Sequence, residues 1–203
     1  HLSHPDRNIR YAARLAIENQ PVSLWQERVL REEDQRALIH ASIALCRHGD
    51  PSLSHRILKK LNQIPFDSLA AEDQLALLRA YSLCFIRLGQ PAAELINVVI
   101  GNLDPFFPTG DEQVNTELCR VLSYLDAPQV VKKTISLMKI TETRTLDYDK
   151  EMLSRHEYGK EILKTMANTP NSQNIQYAYS LRRVRNGWTL SDRKYFFSWM
   201  NET

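Results

Sequence analysis

Apolar residues recur along this chain at the spacing of helices rather than strands. Ile9, Ala12, Ala13, Ala16 and Ile17 follow i, i+3, i+4, i+7, i+8, which predicts one apolar stripe on a first helix. Arg14 and Glu18, four apart on another side, stand in ion-pairing register. Leu75, Leu78, Ser82 and Phe85 run along a longer helix that should end near Gly89. Thr109 with Glu112, Ser154 with Glu157 and Thr189 with Asp192 have the capping-box spacing and mark three helix starts. No Asn-Gly or Asp-Gly hairpin sits between alternating runs, so the strand signal is weak.

Four short breaks share a form: His4-Pro5, Gly49-Asp50-Pro51, Gly89-Gln90-Pro91 and Asp126-Ala127-Pro128. Their prolines stand 46, 40 and 37 residues apart. Glycine suits the end of one helix and proline the first turn of the next, so each break predicts a helix hairpin. Six residues before the prolines come Leu45, Phe85 and Leu122, and ten before come Ala41, Tyr81 and Leu118. Seven after come Ala12, Leu58, Val98 and Ile135. These columns read as core positions on both sides of a repeated turn.

A period of about 40–47 residues is that of HEAT and armadillo units. The expected fold is therefore all-α: a HEAT/armadillo-like right-handed α-solenoid of antiparallel helix pairs with a distinct C-terminal helical end. One domain should span 1–203, with regular repeats over 1–139, a polar connection over 140–154 and C-terminal helices over 155–203. That last part should hold helices near 155–167, 171–185 and 190–201, with Asn186-Gly187-Trp188 breaking the last two. Its aromatic-rich pair could close the array, since a stack of repeats needs an end that hides its stacking face.

Composition narrows the function classes. The 203 residues are 43% hydrophobic and 25% charged, with six Gly and nine Pro, which excludes a disordered, collagen-like or low-complexity chain. A net charge of +2 implies no strong electrostatic partner. The longest apolar stretch, Leu95 to Ile100, is interrupted by Asn97 and is far short of the roughly 20 residues a spanning helix needs. The chain opens at His1 rather than Met and reads as a fragment or processed product, so any targeting signal would lie outside it. Cys46, Cys84 and Cys119 form neither C-x-x-C nor C-x-x-C-H and are expected as small buried core residues.

Catalytic and metal patterns are incomplete. His156-Glu157 opens like H-E-x-x-H, but position 160 is lysine. His1 and His4 have metal-like spacing at a terminus expected to fray. Asp147, Asp149 and Glu151 alternate without the glycine and closing glutamate of a calcium loop. There is no G-x-S-x-G, and Gly159-Lys160 lacks the upstream glycine of a phosphate loop. Glu32-Glu33 reads as a solvated helix start. The expectation is a chain with no catalytic residue, no metal site and no cofactor of its own. A nucleic-acid reading rests on Arg182, Arg183 and Arg185 before Trp188, followed by Arg193 and Lys194. The small net charge weighs against it, as does the single helical face shared by Tyr195, Phe196 and Trp199.

Several stretches carry a resemblance as a set: Pro5-Asp6-Arg7, Ile9-Arg10-Tyr11-Ala12-Ala13-Arg14, Glu18, Gln20-Pro21 and Trp25. Later come Arg155, Tyr158-Gly159, Met166-Ala167-Asn168, Pro170, Ile175, Tyr177-Ala178, Leu181-Arg182, Gly187-Trp188-Thr189, Arg193, Tyr195-Phe196 and Trp199. The chain resembles the HEAT-like segment of large exported bacterial multidomain proteins. Those proteins join a pyrroloquinoline-quinone-type sugar-dehydrogenase-like β-propeller to helical repeats and a c-type cytochrome module. The haem motif and the propeller lie outside these residues, so neither activity is carried over. The resemblance implies a periplasmic or exported scaffold: a spacer that docks neighbouring domains of the same chain or a redox partner. Free cysteines are less usual in such a compartment, though buried ones are tolerated. The contact face expected from it comprises Arg10, Arg14, Arg155, Tyr158, Arg182, Trp188 and Arg193. The competing expectation for the arginines is internal, satisfying helix-end carbonyls or pairing with acids such as Glu18 and Asp192. Two other functions stay open: DNA binding by the basic C-terminal helices, and an enzyme whose site forms on the concave face.

Overall fold

A computed structural model describes residues 1–142, 155–161 and 171–202. The chain is all-helical: helices joined by short turns, with no strand among the described residues. We number the helices α1 (Arg7–Glu18), α2 (Gln26–Val29), α3 (Gln35–His48), α4 (Ser54–Leu61), α5 (Ala71–Arg87), α6 (Ala93–Leu103), α7 (Glu112–Tyr124), α8 (Val130–Glu142), α9 (Ser172–Leu181) and α10 (Leu190–Glu202). A single helical turn lies at 157–161. The chain divides into two compact units, His1–Val121 and Leu122–Thr203.

The three internal breaks fall between consecutive helices, α3 and α4, α5 and α6, α7 and α8. Gly89, after α5, has φ +91°, and Asp126, after α7, has φ +55°. Both are the left-handed residue that turns a chain out of a helix, and glycine adopts it without steric cost. Gly49 makes the same exit with φ −77°, in extended backbone. The prolines lead into the next helix rather than sitting inside it. Pro51 opens the 3-10 turn Pro51–Leu53 before α4, and Pro91 and Pro128 stand two residues ahead of α6 and α8.

Two of the three matched columns are buried throughout: Leu45, Phe85 and Leu122, and Ala41, Tyr81 and Leu118. The third is not. Leu58 and Ile135 are buried, but Ala12 is exposed and Val98 is 46% exposed. The predicted stripe of α1 is likewise largely uncovered: Ile9, Ala12 and Ala16 are exposed, and Ala13 and Ile17 half-buried. The residue α1 does bury is Arg10.

In the first unit α3 is the central helix. It packs against α1, α2, α4 and α5, while α4 also meets α5 and α6. The stretch Ala37-Leu38-Ile39-His40-Ala41-Ser42-Ile43-Ala44-Leu45-Cys46 explains this, since it is apolar on nearly every side and nine of the fourteen residues of α3 are buried. Its start is fixed by Asp34, whose Oδ1 accepts the Ala37 N–H at 2.8 Å. Asp6 and Asp50 cap α1 and the 3-10 turn before α4 in the same way.

At α7 the expected Thr109–Glu112 box does not form. Asp111 is the cap instead, accepting from the Gln113 and Val114 N–H groups at 2.8 and 2.9 Å. Thr109 is occupied by the buried Asn115, which accepts from its N–H and donates to its carbonyl. The Thr189–Asp192 box forms as predicted, each side chain accepting the other's N–H at 3.1 Å. Ser154 lies outside the described residues, as do 143–153 of the polar connection.

In the second unit α8 packs against α9 and α10. Asn174, fully buried on α9, donates to the Met138 carbonyl at 3.1 Å. Asp126 accepts from the Arg185 and Asn186 N–H groups, and its carboxylate also meets the Asn186 side chain. Gly187 has φ +78°, and a Cβ there would stand 2.7 Å from the Pro128 carbonyl oxygen. The Asn186-Gly187-Trp188 break is thereby held against the turn that precedes α8.

Candidate functional site

Arg10 sits one turn into α1, and a helical side chain leans back toward the N-terminus of its helix. Its Nη1 donates to the His4 and Pro5 carbonyls, both at 2.7 Å. Its Nε donates to His40 Nε2 on α3 at 3.1 Å, and its Nη2 pairs with Glu72 in the first turn of α5. With 2% of its surface exposed, Arg10 presents no face to a partner. It is an internal clamp joining the chain ahead of α1 to two further helices. The bond from Arg10 requires a lone pair on His40 Nε2, hence a neutral imidazole. Burial, and then the Arg10 charge, push the His40 pKa down to about 4.

Arg14 belongs to a second cluster, centred on Glu18. The Glu18 side chain is 5% exposed and faces Arg14 at 3.6 Å, Arg47 at 3.2 Å and His48 at 3.5 Å. The expected Arg14–Glu18 pair is therefore present. Arg14 lies mostly inward, its guanidinium 5.2 Å from the centre of the Tyr11 ring. Burial lowers its pKa, Glu18 acts to raise it, and the neighbouring guanidiniums of Arg47 and Arg79 lower it again. Two guanidiniums and an imidazole face one carboxylate here, and Arg79 on α5 adds its field to the same side.

Arg79 leads to a groove of about 530 Å³ between α5 and α7. From α5 come Leu75, Arg79, Ser82, Leu83 and Ile86, and from α7 come Gln113, Thr116, Glu117 and Arg120. The α5 residues form a stripe separate from the one that α5 buries through Leu77, Leu78, Tyr81, Cys84 and Phe85. Ile86 is 73% exposed, while Leu75 and Leu83 are half-buried. Glu117 and Arg120 pair at 2.5 Å along α7.

The other expected contact residues lie in the second unit. Arg155 and Tyr158 are exposed at the helical turn 157–161. Arg182 is exposed with its guanidinium 3.7 Å from the centre of the Tyr179 ring, a cation–π stack. Arg193 stands 6.0 Å from the Trp188 ring. Trp188 is half-buried, donating to the Val184 carbonyl at 2.9 Å and meeting Phe196 edge-on at 5.3 Å. The structure thus brings Trp188 and Arg193 together but stacks Arg182 on a different aromatic, Tyr179. Asp192 is held by Thr189 in the helix cap.

Other buried ionisable groups are held inside the fold. Arg36 grips the buried Asp73 through two nitrogens at 2.5–3.0 Å, and this bond raises the arginine's pKa. Cys46, Cys84 and Cys119 are all buried. The Cys46 sulfur lies 3.8 Å from the Ala80 carbonyl, and that of Cys84 lies 3.6 Å from the Ser54 hydroxyl. Its contact with Cys84 and its burial push the Cys46 thiol up, away from the reactive thiolate. Among the described residues no group of three His, Cys, Asp or Glu is placed to hold a metal ion. No helix among them is long and apolar enough to cross a membrane.

Sequence reasoning missed both the Glu18 cluster and the groove. The signal for the groove was present as Leu75, Arg79, Leu83 and Ile86, an i, i+4, i+8, i+11 stripe beside the core stripe on the same helix. The Glu18 cluster carries no such signal, because Arg47 is 29 residues away. No protein-family model matches this chain, and no curated protein or solved structure is significantly similar to it.

Proposed function

We propose that this chain is a non-catalytic protein-docking module built of HEAT-like helix pairs, serving as a spacer within a larger exported redox protein. One observation carries the repeat reading. The same break recurs between α3 and α4, α5 and α6, and α7 and α8, each time with the residues six and ten before its proline buried. A repeat that buries its turn-flanking columns leaves the outer faces of its helices for partners. The groove between α5 and α7 and the exposed Ile9, Ala12 and Ala16 of α1 are such faces. The exported redox context is supported by the resemblance in residues 5–25 and 155–199.

A DNA-binding reading draws on the exposed Arg182, Arg183 and Arg185. Arg182 is already stacked on Tyr179, and the Trp188 indole N–H is bonded to Val184, so the best-placed aromatics are held by the fold itself.

The test is an antibody to this domain applied to fractionated cells of the source organism. The proposal expects a periplasmic polypeptide far above 23.5 kDa that stains for haem. A haem-free cytoplasmic band near 23.5 kDa overturns the redox-spacer reading.

A further inference from the structure

The geometry points to the α5–α7 groove as the docking site for a protein segment that carries an acidic residue beside a branched aliphatic one. This inference rests on the protein-docking reading and names the chemistry of the partner. Three features of the groove bear on its occupant: an apolar strip, an uncompensated cation and a rim whose charges cancel.

The apolar strip is Leu75, Leu83 and Ile86. Ile86 is 73% exposed in the last turn of a helix whose other face is committed to the core. An isolated exposed isoleucine needs no explanation, but one that shares a 530 Å³ concavity with two half-buried leucines offers a seat for a side chain of similar size. Among the described residues no aromatic ring lines the floor, so it suits an aliphatic side chain rather than a stacked base.

The cation is Arg79. It is exposed and makes no ion pair or hydrogen bond among the described residues. Its neighbour Arg14, near enough to feel the Arg79 charge, is already paired with the inward-facing Glu18. Arg79 lies four residues from both Leu75 and Leu83, so it stands one helical turn from each. A carboxylate one turn from an aliphatic side chain on the incoming segment meets Arg79 as the aliphatic group meets the strip.

The rim adds no net charge of its own. Glu117 lines the groove from the α7 side, paired with Arg120 at 2.5 Å. The two charges cancel, so Arg79 supplies the net charge that an incoming carboxylate meets.

The experiment is a selection of a random dodecapeptide phage library on the full-length chain, followed by affinity measurement on synthetic peptides from the enriched pool. The expected pool is rich in Asp or Glu three or four residues from Leu, Ile or Val. Ile86→Asp and Arg79→Glu should each weaken those peptides by about tenfold. Both side chains are exposed, so the melting temperature of either variant should stay unchanged. A selection repeated on Arg79→Glu should enrich basic–aliphatic peptides instead. Enriched peptides whose affinity ignores both variants would overturn the groove and leave the docking-module reading standing. A library that enriches nothing would count against both. Steeply salt-dependent binding of a 20-base-pair duplex that is lost in Arg79→Glu would replace the peptide with nucleic acid.

Discussion

Arg10 is the residue on which the first unit's internal polar network turns. A guanidinium supplies a planar fork of donors, and here it satisfies two carbonyls, one imidazole and one carboxylate at once. Arg10→Ala removes the fork and leaves the His4 and Pro5 carbonyls and His40 Nε2 without their donor. We expect a loss of about 3 kcal/mol in urea unfolding monitored by circular dichroism. Arg10→Lys keeps the charge but cannot reach four partners, and should recover less than half of that loss. A variant as stable as the parent would show that the clamp is incidental. The internal reading of the arginines anticipates carbonyl and acid partners, but the sequence does not say which, since those on α3 and α5 are 30 and 62 positions away.

At the level of the element, the helices follow local chemistry closely, and the exceptions are informative. Asp111, two residues after the Thr109 that the capping-box template selects, has its carboxylate on the first free N–H groups of α7. Asp111→Ala should therefore cost about 1 kcal/mol in urea unfolding. An unmoved midpoint would return the cap to Thr109. Turn chemistry and helical period made the breaks at Pro51, Pro91 and Pro128 legible, together with the buried columns ending in Leu122 and Leu118. They could not distinguish a stripe that is covered from one that is open. Period says which residues share a face, and Ala12 and Val98 share the predicted face of their helices yet stand exposed. The groove was hidden for the converse reason: its stripe on α5 mixes Arg79 with aliphatics and so resembles an ordinary solvated side.

The stability of the whole molecule should carry the signature of His40. Its folded pKa, about 4, is below the ordinary imidazole value of 6.5. Between those values the unfolded chain binds a proton that the folded chain refuses, so stability is full above about pH 6.5 and declines as the pH falls toward 4. Discounted for partial solvent screening, the loss is about 2 kcal/mol. Urea midpoints measured from pH 7 to 4.5 should follow that slope. His40→Gln, whose amide oxygen can still accept from Arg10 but cannot titrate, should flatten it. An equal slope in parent and variant would assign the acid sensitivity to other groups.

All three thiols are sealed in the first unit, beyond the reach of solvent in the native state. The protein is thus supplied with a clock. A maleimide can alkylate Cys46, Cys84 or Cys119 only when the helices around them part, so the labelling rate should equal the rate of opening and cease to depend on reagent concentration once reagent is in excess. One cysteine placed on the surface, as in Ile86→Cys, should react within the mixing time while the other three wait. The same molecule would then report both occupancy of the groove, by protection of position 86, and the lifetime of the fold beneath it.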